Sequence, residues 1–364
     1  MNDHSRLPKL IGTIAFYTSA FFLAAAIVAS TRTPAKGHAA AVSAQAVGAS
    51  GYHLLKTIPV PGDTGWDYLK FDPTSRQLFI SRGDHVAVVN VDSGKLVADI
   101  GGMQGIHGIV LAPEFNRGFV TDGRAAKVWI FDLKTLQVIG SAPADQDADG
   151  EVYDPASKRV FTMNGDSKTS TVVDAATGKV LGKIDLGGQP EFPVADGQGH
   201  VYANIESTSE IVQIDSNSMK ITQRWPLAPG QSPSGLAIDT ANRILFSGCH
   251  DKMMAIVNAD TGKVIASPAI GQGVDATRFD PGTGYAFASN GDGTLTVIHE
   301  DSPTQFTVVD NVQTERGART MALDPTTHQV FLVTAQFEPI PANAPPHTRR
   351  KIVPGTFHVL VFGK

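Results

Sequence analysis

From residue 51 onward the chain alternates apolar and polar residues with period two, in short runs broken by Gly, Pro, Asp and Thr. Such alternation predicts half-buried β-strands, and the breaks predict tight turns. Residues 67–71, 77–81, 85–91 and 96–100 predict four strands in succession. They are joined by turns at Asp72-Pro73-Thr74-Ser75, Gly83-Asp84 and Asp92-Ser93-Gly94-Lys95. The first of these turns has six counterparts: Leu111-Ala112-Pro113, Tyr153-Asp154-Pro155, Ala195-Asp196-Gly197, Ile238-Asp239-Thr240, Phe279-Asp280-Pro281 and Leu323-Asp324-Pro325. The central residues fall at 72, 112, 154, 196, 239, 280 and 324, in steps of 40 to 44 residues. A fixed period of this length marks an array of one supersecondary unit.

Seven units of four strands predict an all-β fold, a seven-bladed β-propeller over residues 51–364. The second strand of each unit carries one aromatic at a fixed place: Phe79, Phe119, Phe161, Tyr202, Phe246, Phe287 and Phe331. An aromatic recurring in register predicts core between blades. Residues 52–59 resemble the last strand of later units, such as 179–186, whereas the final unit stops after its third strand at 356–362. The expectation is that the N-terminal strand serves as the outer strand of the last blade, leaving no open sheet edge.

The repeat carries a resemblance. The Asp-Pro turn, the Val160-Phe161-Thr162-Met163-Asn164 strand and the stretch Val172-Val173-Asp174-Ala175-Ala176-Thr177-Gly178-Lys179-Val180 resemble the unit of the YVTN (YncE-like) seven-bladed β-propellers, over residues 51–364. Two units depart at the third turn, with Asn217-Ser218-Met219-Lys220 and Asp301-Ser302-Pro303-Thr304 in place of Thr-Gly-Lys. The resemblance implies an extracytoplasmic binding propeller; it brings no catalytic residues with it.

Composition changes the picture at the N-terminus. Residues 1–10 are polar with Arg6 and Lys9, and residues 11–30 carry no charge. A basic start followed by an apolar run predicts export to the periplasm, as a signal peptide or an N-terminal membrane anchor. Residues 31–50, rich in Ala, Ser, Thr and Gly, predict a flexible linker. Net charge is −5, and because residues 1–50 carry +3, the body carries −8. An acidic body argues against general nucleic-acid binding, which rests on phosphate neutralisation. The single cysteine, Cys249, permits no intrachain disulfide and reads as a small buried hydrophobe.

In a propeller the first strand of each blade lines the central channel. The residue five before each turn centre then sits at the channel mouth: Asp67, His107, Asp149, Glu191, Ser234, Asp275 and Arg319. Asp67, His107, Asp149, Glu191 and Asp275 are the candidate ligands for a divalent cation, because carboxylate oxygens suit hard cations and imidazole suits transition metals. Arg319 suits a ligand carboxylate or phosphate. The alternative is a water-filled channel whose polar lining solvates strand ends. Turns between second and third strands add Arg82, Arg124, Asn164, Glu206, His250 and Asn290 as secondary contacts; Asn164-Gly165 and Asn290-Gly291 also read as hairpin chemistry. Trp225 reads as an outer-strand residue able to mark a partner surface. In the last unit, residues 336–354 hold five prolines and Arg349-Arg350-Lys351, a lid, arm or solvated loop on the mouth side.

These features lead to a monomeric, non-catalytic module that binds a small molecule or a periplasmic protein through the channel mouth. The second expectation is a metal-dependent, lactonase-type hydrolase, and the third is single-stranded nucleic-acid binding through Arg349-Arg350-Lys351. No nucleophile elbow, phosphate loop or metalloprotease motif is present.

Overall fold

The computed structural model describes residues 49–341, 343 and 350–364. The expected export segment and most of the expected linker lie outside the described residues. Among those described, no helix is long and apolar enough to cross a membrane.

Seven four-stranded antiparallel sheets form a seven-bladed β-propeller, and among the described residues the helical elements are two short 3₁₀ turns, Pro113–Phe115 and Glu206–Thr208. The innermost strands are Leu69–Asp72, Ile106–Ala112, Ala148–Asp154, Pro190–Ala195, Pro233–Asp239, Val274–Asp280 and Met321–Asp324. In the seventh blade, strand His53–Pro59 pairs antiparallel with His358–Gly363, in a register from His53 opposite Gly363 to Pro59 opposite His358.

The core lies between blades. All seven second-strand aromatics are at most 1 % exposed. One apolar cluster joins Leu69, Phe71 and Leu78 of blade 1 to Phe331, Val359 and Val361 of blade 7, and another joins Phe79 and Val88 of blade 1 to Ile106 and Val120 of blade 2. Each blade's two faces are therefore buried against its neighbours, which explains why both faces of the middle strands are apolar. Trp225 belongs to this core: it is 7 % exposed and lies 6.1 Å from the Tyr202 ring. It is not the surface residue its outer-strand position suggests. Its cover comes from the next blade, where Gly262 (φ +70°) sits so close that a Cβ there would fall 2.0 Å from Trp225 Cδ1.

The repeated acidic turn residue explains the period. Asp72, Asp154, Asp196, Asp239, Asp280 and Asp324 each accept a hydrogen bond from the backbone N–H two residues on, at 2.8–3.2 Å. This is an Asx-type turn, the reason Asp is favoured there. Four residues past six of the turn centres the chain turns left-handed, at Arg76, Asn116, Lys158, Arg243, Gly284 and His328. Three of these residues reach the turn carboxylate of the preceding blade. Arg76 pairs with Asp324, Arg243 Nη1 lies 2.8 Å from Asp196 Oδ2, and His328 Nδ1 lies 2.8 Å from Asp280 Oδ2. The three carboxylates have no exposed side-chain surface. The same groups thus shape one turn and tie two blades.

Removing one partner of a buried pair leaves an uncompensated charge. Arg76→Ala is expected to destabilise the protein by about 3 kcal/mol in urea unfolding, because it strands the Asp324 carboxylate at the junction of blades 1 and 7. A loss below about 0.5 kcal/mol would mean that the pair does not hold the blades together.

Candidate functional site at the channel mouth

The mouth residues owe their direction to a break in the sheet ladder. In five innermost strands the register slips across the ring position: 106/109 around His107, 148/151 around Asp149, 190/193 around Glu191, 233/236 around Ser234 and 274/276 around Asp275. In blades 1 and 7 the regular strand starts only after Asp67 and Arg319. A bulge frees one residue from pairing and re-aims its side chain. Glycine follows the ring residue in blades 2, 3 and 5 for lack of space. A Cβ at Gly108 would meet the Asp149 carbonyl at 2.6 Å, and one at Gly235 would meet the Thr277 nitrogen at 2.6 Å.

Five of the seven side chains fall into two hydrogen-bonded groups, Asp67 with His107 and Ser234 with Asp275 and Arg319. His107 Nδ1 lies 2.7 Å from Asp67 Oδ2 and 3.7 Å from Asp149 Oδ1. One ligand atom from each of Asp67, His107 and Asp149 falls within 4.8 Å of the others. On the other side Arg319 pairs with Asp275, and the Ser234 hydroxyl donates to the Asp275 backbone carbonyl at 3.3 Å. Asp149 Oδ1 is buried without a hydrogen-bond partner.

Protonation follows from crowding. Burial raises Glu191 to about 9, and the fields of Asp149, Glu206, Asp275 and Asp67 add to the shift. Burial also raises Asp149 above the carboxylate range, Asp67 reinforces it, and His107 opposes it. Asp275 is raised by burial and pulled back by Arg319. Burial works against charge on His107, but its hydrogen bond to Asp67 and the fields of Asp149, Asp67 and Asp147 win, so the imidazolium persists above its ordinary range. Arg319 is held charged first by Asp275. At neutral pH two fixed cations and one retained proton offset most of the carboxylate charge. The mouth is a hydrogen-bonded mosaic rather than an open ring of anions.

Of the secondary loop residues, Glu206 and His250 stand on the rim, 3.8 Å apart, with His250 bearing on Asp275 and Glu206 on Glu191. Arg124 is exposed and packs over Gly105. Three others are structural. Arg82 has no exposed surface; it donates to the carbonyls of Pro61, Gly62, Thr64 and Gly65 and lies 3.6 Å over the Phe357 ring. Asn164 and Asn290 are fully buried, donating to Thr169 and Thr171 and to Thr294 and Thr296 in their own hairpins. Asp147 was not singled out by its position in the repeat, yet it flanks the trio: a Cβ at Gly123 would lie 3.2 Å from Asp147 Oδ1 and 3.3 Å from His107 Nε2. The alternation Asp145-Gln146-Asp147-Ala148-Asp149 is the signal that marks it.

The proline-rich segment has a paired base, with Phe337 bridged to Ile352, the Glu338 N–H donating to the Lys351 carbonyl at 2.8 Å, and Phe337 packed 5.9 Å from Trp66. Arg350 and Lys351 are exposed, while Arg349 lies outside the described residues.

No protein-family model and no curated protein matches the chain. Solved structures do. A structure of a mitotic checkpoint complex aligns with a TM-score of 0.68 at 13 % identity, covering 88 % of this chain and 96 % of that one. A structure of U3-55K aligns with a TM-score of 0.69 at 9 % identity, covering 84 % and 97 %. At these identities the likeness shows the fold alone, a β-propeller.

The shift at Glu191 makes stability depend on pH. Between its ordinary 4.5 and about 9, the folded protein keeps a proton that the unfolded chain has released, so stability falls as pH rises through that window. Glu191→Gln keeps a neutral group there. Its melting temperature is expected to exceed that of the wild type by roughly a few degrees at pH 8, the two converging near pH 4.5. Superimposable melting curves at every pH would contradict the assignment.

Proposed function

We propose that this is an exported, YVTN-like binding propeller that takes a small cationic or cation-bearing ligand at the channel mouth. The carrying observation is the convergence of Asp67, His107 and Asp149 within 4.8 Å, with Asp149 Oδ1 buried and unpartnered. A buried acceptor without a donor is costly, and a bound cation relieves it. Two carboxylates and an imidazole form a mixed oxygen–nitrogen set that suits Mn²⁺ or Zn²⁺ better than Ca²⁺. Asp147 would serve as a flanking carboxylate. Asp275 is engaged by Arg319, and Glu191 holds its proton, so neither belongs to the first set of ligands. The charge-free run 11–30 supports a periplasmic location.

A second reading, a metal-dependent hydrolase of lactonase type, is favoured by one feature. Glu191 is a carboxyl group that keeps its proton to about 9 and feels Asp149 directly, as a general acid beside a metal site would. Both readings need the cation; only the second needs turnover.

Titration of metal-free protein with Mn²⁺ is expected to reveal one stoichiometric site. Its affinity rises with pH, since His107 and Asp149 must release protons to serve as ligands. Asp149→Ala is expected to weaken it by about tenfold or more. Absence of a saturable site, or equal affinity in the variant, would refute the cation reading. Lactone hydrolysis that needs the cation and is lost in Glu191→Gln would decide for the enzyme.

A further inference from the structure

The channel is divided. Tyr68 of blade 1 stacks on Phe192 of blade 4, ring centroids 4.4 Å apart. The Tyr68 hydroxyl reaches blade 3, where a Cβ at Gly150 would lie 2.9 Å from it. Both rings are over nine-tenths buried. They span the axis directly beneath the mouth, whose carboxylates Asp149, Glu191, Asp67 and Asp275 bear on the Tyr68 hydroxyl. On the far side lies a cavity of about 520 Å³. None of the seven mouth residues lines it, and it runs to the prolines of the opposite face, Pro73 and Pro325.

This chamber has its own chemistry. Its walls are mostly apolar, and its titratable groups are Tyr68, Lys70, Glu151, Tyr153 and Arg278. Lys70 and Arg278 come from blades 1 and 6 and line the same chamber, where the field of Arg278 bears on Lys70. Arg278 lies 5.4 Å over the Phe192 ring, and its guanidinium donates to the carbonyl of its neighbour Thr277 at 2.8 Å. Among the described residues neither cation lies within ion-pair distance of a carboxylate; Asp72, whose oxygens accept from Thr74 and Ser75, bears on Lys70, and Asp275, already paired with Arg319, bears on Arg278. Glu151 is 7 % exposed, and burial outweighs a backbone hydrogen bond from Val110 to keep it protonated. The Tyr68 hydroxyl is buried and unpartnered. Two cations beside an aromatic wall, with no carboxylate in ion-pair reach among the described residues, describe a site lacking its counter-ion.

We propose that the chamber binds a small organic anion, a carboxylate or phosphate head on an apolar body, entering from the face opposite the mouth. Lys70 and Arg278 hold the head, the bidentate guanidinium orienting it, while Phe192 and the aliphatic wall take the body. Lys70 is exposed to the channel but crowded by protein, and the lost solvation together with the Arg278 field lowers it to about 8, so it is mostly charged at pH 7 and discharges as pH rises past that value.

Calorimetric titration of the full-length protein at pH 7 with phenyl phosphate, benzoate and benzyl alcohol tests this. One or both anions are expected to bind at unit stoichiometry, which decides between the two heads, and the neutral alcohol is not. Lys70→Gln, at a position open to the channel, is expected to weaken anion binding by about tenfold or more, and Lys70→Arg to retain it. Arg124→Gln on the exposed rim of the mouth leaves it unchanged, which places the anion site away from the mouth. The proposal fails if neither anion binds, if the alcohol binds as well as the anions, if Lys70→Gln binds as the wild type does, or if the mouth variant abolishes binding.

Discussion

The structure depends on a carboxylate that does two jobs. The acidic residue closing six of the seven inner strands satisfies its own turn, and in three blades it is also met by Arg76, Arg243 or His328 of the next. A lone turn former would tolerate Asn or Ser. A buried anion shared by two blades does not, because its charge must be met inside the protein. This constraint ties three of the seven blade junctions. At Arg76 and Asp324 it acts across the same junction where the strand His53–Pro59 joins the last blade.

At the other face the logic reverses. There, bulges release one residue from the ladder in each of five blades, and converging side chains settle their charges among themselves. The result is a His–Asp pair, an Arg–Asp pair and a proton kept on Glu191. Crowded carboxylates cannot all ionise. An acidic ring is therefore a poor description of the mouth, although four of its seven residues are Asp or Glu. A ligand must offer better partners than the residues already offer one another, and the unpartnered Asp149 oxygen is where they fail to do so.

The fold was legible because its determinants are local and repeated: the Asp turn, the second-strand aromatic and the period near forty. Counting back from the turn also located the residues of the mouth. What it did not supply was partnership. Whether Arg319 faces a ligand or Asp275, and whether Arg82 points to solvent or into four carbonyls, depends on chain segments distant in sequence or in an adjoining loop. Trp225 shows the same limit, since its cover is a glycine of another blade. Asn164 and Asn290 have the look of exposed turn formers, yet they are buried because the third-strand threonines reach back to them. The inner chamber escaped notice because Lys70 and Arg278 lie two residues before their turn centres, in only two of seven units. A repeat read for its consensus hides its exceptions.

The bulge has one more consequence. A residue that pairs with no neighbouring strand is exempt from the rules that govern the rest of the sheet, so any side chain can stand there without disturbing the hairpin behind it. Five such exempt positions, one in each of five units, let an otherwise monotonous array bring His, Asp, Glu and Ser side chains to one place. The scaffold can thus change its specificity by point substitution while its architecture is inherited intact.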